Sequence, residues 1–299
     1  VKRSKIRSKR FKENLIAYAF MLPSFMFLFV FIIYPLLYSF YLSFSKYDFV
    51  YDSGPTFIGI GNYIRLFSDR VFLDSLRNTL YFSAVFFPIL IIVSLINGVA
   101  LNTEVRGYKF FRTIIFLPFI VALSIGGVMW SWIYSEHFGI LNFILRNILK
   151  MPQLAHDWLT DTNTVLNCLI IVKLWKYIGI VTILFVAGLG AISKDLYDAA
   201  KVDGAGAWER FVFITLPNLR GAFLITGVYG IIQAVKTFQL PFVMTEGGPG
   251  TATMTLYFYL WNNAFLFFKM GYAASVGYFT GAIIIVLSLV LFKFTQSKG

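Results

Sequence analysis

The stretch Lys194-Asp195-Leu196-Tyr197-Asp198-Ala199-Ala200-Lys201-Val202-Asp203-Gly204-Ala205-Gly206-Ala207-Trp208-Glu209-Arg210-Phe211-Val212-Phe213-Ile214-Thr215-Leu216-Pro217 is a polar island between two long apolar runs. Asp195, Leu196, Ala199, Ala200 and Val202 fit a short helix with a small-residue face. Asp203-Gly204-Ala205-Gly206 ends it, because glycine lacks a Cβ and accepts positive φ. Trp208, Phe211, Val212 and Ile214 then recur at helical spacing and give a second short helix its apolar face. Leu216-Pro217 closes that run, since proline has no N–H and restricts the residue before it. The segment therefore reads as helix, glycine turn, helix, short and stiff. Two uses fit it: close approach by a partner over small side chains, or an amphipathic loop resting on a lipid surface.

The flanking composition calls for lipid. Of 299 residues, 58% are hydrophobic and only 13% charged, with mean hydropathy +0.74. A soluble domain carries about 25% charged residues. A soluble enzyme, a disordered chain and a secreted disulfide scaffold are excluded, and the fold class is an all-α polytopic membrane protein. A helix needs ~20 apolar residues to cross the hydrocarbon core, and unpaired backbone groups are not tolerated there. Six runs qualify: 17–44, 78–102, 113–134, 165–192, 221–244 and 275–292. The first follows a basic stretch from Lys2 to Lys12, as a signal peptide would. Its length and the lack of a small-x-small cleavage pattern make it an expected uncleaved span. The expected organisation is a basic tail (1–16), a six-helix domain (17–292) containing the loop 193–220, and a short tail (293–299).

The net charge of +12 is mostly an orientation signal. With the N-terminus cytoplasmic, segments 1–16, 103–112, 193–220 and 293–299 hold 16 Lys and Arg, against 7 in 45–77, 135–164 and 245–274. The positive-inside rule then places both termini in the cytoplasm, with the basic tail attractive to anionic lipid and nucleic acid not required. No metal site is expected: His137 and His156 stand apart, without acidic or cysteine company. The single Cys168 lies in an apolar run. No G-x-x-x-x-G-K-[ST], H-E-x-x-H or G-x-S-x-G occurs, so no catalytic residue is named.

Three lysines fall inside expected spans: Lys173, Lys176 and Lys236, with no Asp or Glu in any span to pair with them. A lysine in hydrocarbon is costly by ~2.5–3.5 kcal/mol, so these should meet water, a ligand or a helix end. Lys173 and Lys176 could also snorkel to the outer interface; a wet internal cavity fits Lys236. The absence of mid-membrane carboxylates argues against a proton-coupled carrier, and against a sodium-coupled one less strongly.

The loop resembles the EAA motif of ABC-importer permeases, E-A-A-x-x-x-G followed by I-x-L-P. Here it stands as Asp198-Ala199-Ala200-x-x-x-Gly204, then Ile214-x-Leu216-Pro217. The fuller sugar-importer form, D-G-A-x-x-x-x-x-F-x-x-I-x-L-P, is met by Asp203, Gly204, Ala205, Phe211, Ile214, Leu216 and Pro217. Asp198 replaces the usual Glu, which keeps the charge and shortens its reach to a partner arginine. Pro23, Tyr34-Pro35, the run from Ser39 to Phe44, Thr245 to Gly250, and Gly271 to Ala274 extend the resemblance. They are similar to the first, F-type permease of the maltose-type carbohydrate uptake family.

That resemblance implies a second homologous permease as heterodimer partner, two copies of an ABC ATPase, an external solute-binding protein and a sugar substrate. It also implies a location in the bacterial inner membrane. ATP and Mg would be bound by the ATPase, with no cofactor on this chain. The loop, through Asp198, Ala199, Ala200, Asp203, Gly204, Ala205, Trp208, Phe211, Ile214, Leu216 and Pro217, would couple to the ATPase. The substrate path would run over Lys173, Trp175, Lys176, Tyr177 and Ile180 in the fourth span. In the fifth it would use Gly230, Gln233, Ala234, Lys236 and Thr237. Read from spacing alone, Gly230, Gln233, Ala234 and Thr237 form one small-and-polar face. That face serves helix packing as well as a substrate. The three lysines raise an acidic sugar as the substrate. Rival readings are an ion-coupled secondary carrier, a scaffold subunit, and an ABC permease for a non-sugar solute such as a glycerol phosphate.

Overall fold

A computed structural model describes residues 14, 16, 18–102 and 107–296 of the chain. Most of the expected basic tail 1–16, residues 103–106 and residues 297–299 lie outside the described residues.

The chain divides into two compact units. The first spans 1–65 and 263–278. Its main element is α1 (Tyr18–Ser43), whose most apolar stretch has no buried residue. A helix apolar all round and uncovered by its own chain is built for lipid or another helix. A two-residue antiparallel pair, Ser45–Lys46 with Thr56–Phe57, follows it. Asn62 fixes the turn by donating to the Ser43 and Ser45 carbonyls at 3.0 and 2.9 Å.

The second unit spans 66–262 and 279–299. Its helix α2 (Arg70–Leu101) begins well before the expected residue 78. Asp69 is the reason: its carboxylate accepts from the Val71 and Phe72 N–H groups and caps the start, so the polar first turns are helical too. Phe72, Ser75, Thr79, Phe82, Phe86, Leu90 and Ser94 form its buried stripe at three- and four-residue spacing. α3 (Tyr108–Ile120) and α4 (Leu123–Ile133) replace the straight span expected at 113–134; they meet at 98°. α5 (Val165–Gly190) is the core helix. Leu169, Val172, Val181 and Phe185 pack with Phe82, Phe86 and Leu90 of α2 and with Ala234. At Gly179 a Cβ would lie 2.1 Å from the Ile115 carbonyl oxygen, so only glycine allows α5 to cross α3 this closely.

α6 (Lys194–Val202) and α7 (Ala207–Asn218) form the expected helix–turn–helix. The second helix does not stop at Pro217; it runs through it to Asn218. A π turn at Phe211–Thr215 makes room, widening the helix where the proline ring would meet the Phe213 carbonyl. Another π turn, Phe29–Ile33, stands in the same relation to Pro35 of α1. α8 (Arg220–Val235) leaves α7 at 68° around Leu219. It ends at Val235, short of the expected residue 244. The chain is non-helical at 236–238; helix resumes at Gln239 and widens into a π turn at Pro241–Thr245. α9 (Met270–Gln296) is the last long helix, its first turns in the first unit and the remainder in the second. Among the described residues four helices are long and apolar enough to cross a membrane, and six spans result if each bent pair counts as one. The chain is a multi-pass, all-α membrane protein.

Candidate functional site

The loop 193–220 fastens itself. Ser193 Oγ accepts the Asp195 N–H at 3.3 Å and caps the start of α6. At its end Gly204 takes φ +79°. The Ala205 N–H then reaches the Ala200 carbonyl at 2.8 Å and the Gly204 N–H that of Lys201 at 3.1 Å. This pair of bonds is a Schellman closure, which satisfies the last carbonyls of a helix from its own chain. The Glu209 carboxylate accepts the Gly206 N–H at 2.6 Å at the start of α7. Tyr197 and Thr215 hydroxyls, 3.0 Å apart, tie the two helices together. Gly204 is thus demanded by its backbone angle; a Cβ there would meet nothing within 4 Å.

What this loop presents outward is mixed. Asp198 and Lys201 pair at 2.7 Å in the open. The hydrogen bond from Lys201, then its charge, hold the Asp198 carboxyl below its ordinary value of 3.8. Ala199 is exposed and Ala200 and Ala205 are half-buried. Trp208 departs from the expected apolar face: Phe211, Val212 and Ile214 are half-buried, whereas Trp208 is 74% exposed and Val202 88%. Leu216 is half-buried, and Asp203 and Pro217 are exposed.

The second site lies where spans break. A broken helix strands carbonyls that water cannot reach in a membrane. Lys176 donates to the Phe119 and Val121 carbonyls at 2.9 and 2.5 Å, closing the end of α3. Lys173, one turn earlier on α5, donates to the Gln233 carbonyl and to Thr237 Oγ1, the latter at 2.6 Å, closing the end of α8. Its ammonium also sits 5.3 Å from the Phe82 ring centre and 5.7 Å from that of Phe86. Lys173 is 1% exposed and Lys176 8%. Neither snorkels outward; both ammonium groups are held inside against backbone carbonyls. Both meet a helix end, one of the three options the charge accounting left. Lys236 is different: it stands exposed at the end of α8, its Nζ 5.8 Å from the Tyr257 ring.

The other expected path residues separate into two groups. Gly230 and Ala234 pack: a Cβ on Gly230 would lie 3.1 Å from Phe87 of α2, and Ala234 belongs to the core. Thr237 is buried under Lys173. Trp175 lies edge-on to Trp130 and covers Gly126, and Ile180 is half-buried against the core. Tyr177 and Gln233 are linked by Tyr229, whose ring is 6.1 Å from that of Tyr177 and which stands one helical turn before Gln233 on α8. Tyr229 was missed because a lone tyrosine in an apolar helix carries no pattern. The rings of Phe238, Phe242, Phe258 and Trp261 were missed for another reason: they were expected within or beyond a continuous span, and the break at 236–238 is what gathers them.

The fold defines a polytopic helical membrane protein with a self-locked loop between two spans. No protein-family model matches the chain. Over nearly its whole length it is similar to the lactose transport system permease protein LacF of Rhizobium radiobacter (34% identical, 93% of each chain covered). It is 32% identical to the trehalose/maltose transport system permease protein MalF of Thermococcus litoralis, over 94% of this chain and 91% of that one. It is also 32% identical to the probable ABC transporter permease protein YurN of Bacillus subtilis (96% and 98% covered). Among solved structures it shares the fold of a bacterial ABC transporter involved in the import of the acidic polysaccharide alginate, with TM-score 0.78 over 97% of this chain and 98% of that one at 22% identity. The chain belongs to the ABC transporter permeases.

Proposed function

We propose that this permease forms one half of the translocation pathway of an ATP-driven, binding-protein-dependent importer for a sugar or oligosaccharide. The observation that carries the reading is the loop 193–220: a two-helix element closed on itself, exposing Asp198, Ala199, Val202 and Trp208. Such an element transmits force because it has no internal freedom to absorb it. In this reading two copies of an ABC ATPase, which bind ATP and Mg, seat the loop. A second homologous permease supplies the other half of the path, and an external solute-binding protein delivers the sugar. The chain itself carries no catalytic residue, and it lies in the bacterial inner membrane with both termini cytoplasmic. The sugar class is supported by relatives named for lactose and for trehalose and maltose.

In this reading the stroke travels along the helices of the second unit. Displacement of α6 and α7 reaches α8 through the 68° corner at Leu219. The far end of α8 is held by Lys173 of α5, so the two helices respond together. Tyr177, Tyr229 and Gln233 present rings and an amide to a sugar on this route. With Lys173 and Lys176 bound to the protein, the charge argument for an acidic sugar narrows to Lys236.

Gly204→Val tests the reading in the assembled importer. The expected result is ATP hydrolysis without matching sugar uptake; uptake per ATP at the wild-type ratio would remove the coupling role. Competition between neutral and uronate oligosaccharides then sets the charge of the substrate, and uptake of sn-glycerol 3-phosphate in preference to every sugar would replace the sugar class.

A further inference from the structure

Non-helical backbone within a span persists only where protein covers it or water reaches it. The break between α3 and α4 is covered, with Lys176 supplying the donors. The break after α8 is covered on one side only. There Thr237 is buried, bound by Lys173 through its hydroxyl and by Thr255 Oγ1 through its carbonyl at 2.5 Å. On the other side Lys236 and Gln239 are exposed. Two uncovered polar side chains on a broken span mark a wet surface.

Rings gather beside them. Phe238 and Phe242 stack at 5.3 Å, Phe258 and Trp261 stack at 6.2 Å, and Phe242 meets Trp261 edge-on at 5.1 Å. Phe242 is 41% exposed, and Phe238 and Trp261 are half-buried. Tyr257, under the Lys236 ammonium, lies one helical turn before Trp261 on the helix Leu256–Trp261. An interfacial aromatic belt accounts for single rings turned to lipid. It does not account for rings packed on one another around an exposed lysine and glutamine. Flat apolar faces flanked by N–H donors are the pairing a sugar requires: rings for its C–H faces, donors for its hydroxyls.

We infer that the break after α8, with Lys236, Gln239, Phe242, Tyr257 and Trp261, is a second sugar-contacting station, separate from Tyr177 and Gln233. The inference rests on the importer reading above. Trp261 and Phe242 supply the platform. Lys236 sets preference by charge, favouring a carboxylate-bearing sugar over a neutral one.

The test uses the whole importer, reconstituted in liposomes with its partner permease, ATPase and binding protein. Radiolabelled maltose, trehalose, lactose and an alginate trisaccharide are the probes. Trp261→Leu should lower import of the preferred probe about fivefold, and Trp261→Tyr should restore most of it. Lys236→Met should lower import of the alginate probe more than that of maltose. Co-purification of the partner permease reports assembly in each variant. Wild-type import of every probe by both Trp261→Leu and Lys236→Met overturns the station. So does loss of import that follows loss of the partner permease, since the patch is then a subunit contact. A wild-type importer that moves none of the probes removes the sugar reading itself, and the station with it.

Discussion

The loop 193–220 and the break after α8 both end a helix, and they do it by opposite means. At α6 the backbone turns back on itself: Gly204 enters the left-handed region and the chain's own N–H groups close the last carbonyls. Nothing outside the loop is needed, and Asp198, Ala199, Val202 and Trp208 stay exposed. At α8 the donors come from elsewhere, from the buried Lys173 of α5. The difference follows from the solvent. In water a self-closed end frees a surface for a partner. In hydrocarbon a stranded carbonyl must find a donor within the protein, and that donor ties two helices together. One region therefore closes on itself and leaves a surface open, and the other is an internal fastening.

Substitutions at four positions break or sharpen that contrast. The largest effect is expected from Gly179→Leu in the buried region, because even a Cβ would overlap the Ile115 carbonyl. α5 could not keep its place against α3, and the complex should fail to assemble, read as loss of co-purified partner subunits. Lys173→Met removes the closure of α8 while keeping an unbranched side chain only one atom shorter. Membrane hydrogen bonds average ~0.6 kcal/mol and reach ~1.7, and an orphaned carbonyl adds to that. A loss of about 1–3 kcal/mol is expected, seen as a lower unfolding temperature of the purified complex. Unchanged stability would mean that the fastening is ornamental.

In the exposed region Gly204→Val should perturb coupling far more than folding. A β-branched residue at positive φ strains the turn by about 1–3 kcal/mol, whereas Gly204→Asn, which tolerates that angle, should retain most uptake. The ratio of uptake to ATP hydrolysis distinguishes the two. The smallest effect belongs to Asp198→Asn. The folded-state value of Asp198 is lowered by Lys201, so its ion pair supports the loop fully above 3.8 and is lost as pH falls through the lowered value. The variant should abolish that acid-side dependence, measured by circular dichroism of the purified complex across pH 2–5, a window set by the ordinary carboxylate range.

The loop was legible because water-exposed helix ends obey local rules. Glycine at the turn and the small residues before it stand in the sequence where the structure uses them. Lys173 and Lys176 were legible as anomalies only: charge in a span without a carboxylate calls for a partner, but the partners are backbone carbonyls, which no residue type announces. The breaks that create those carbonyls were hidden for the same reason. An apolar run reads alike whether it is straight or folded at 98°, as 113–134 is. Lys236 and Pro241 were the clue at the fifth span; hydropathy averaged across them. α2 extends beyond its apolar run because Asp69 caps a helix whose first turns are polar.

The corner at Leu219 turns α8 into a lever. Its 16 residues span about 24 Å, so a tilt of about 10° at that pivot carries the far end by about 4 Å. A hydrogen bond tolerates only a fraction of that travel. Either α5 swings with α8, or the grip of Lys173 on Gln233 and Thr237 opens. A tilt applied at Leu219 would thereby be converted, at the other end of the lever, into a contact that is wholly made or wholly released.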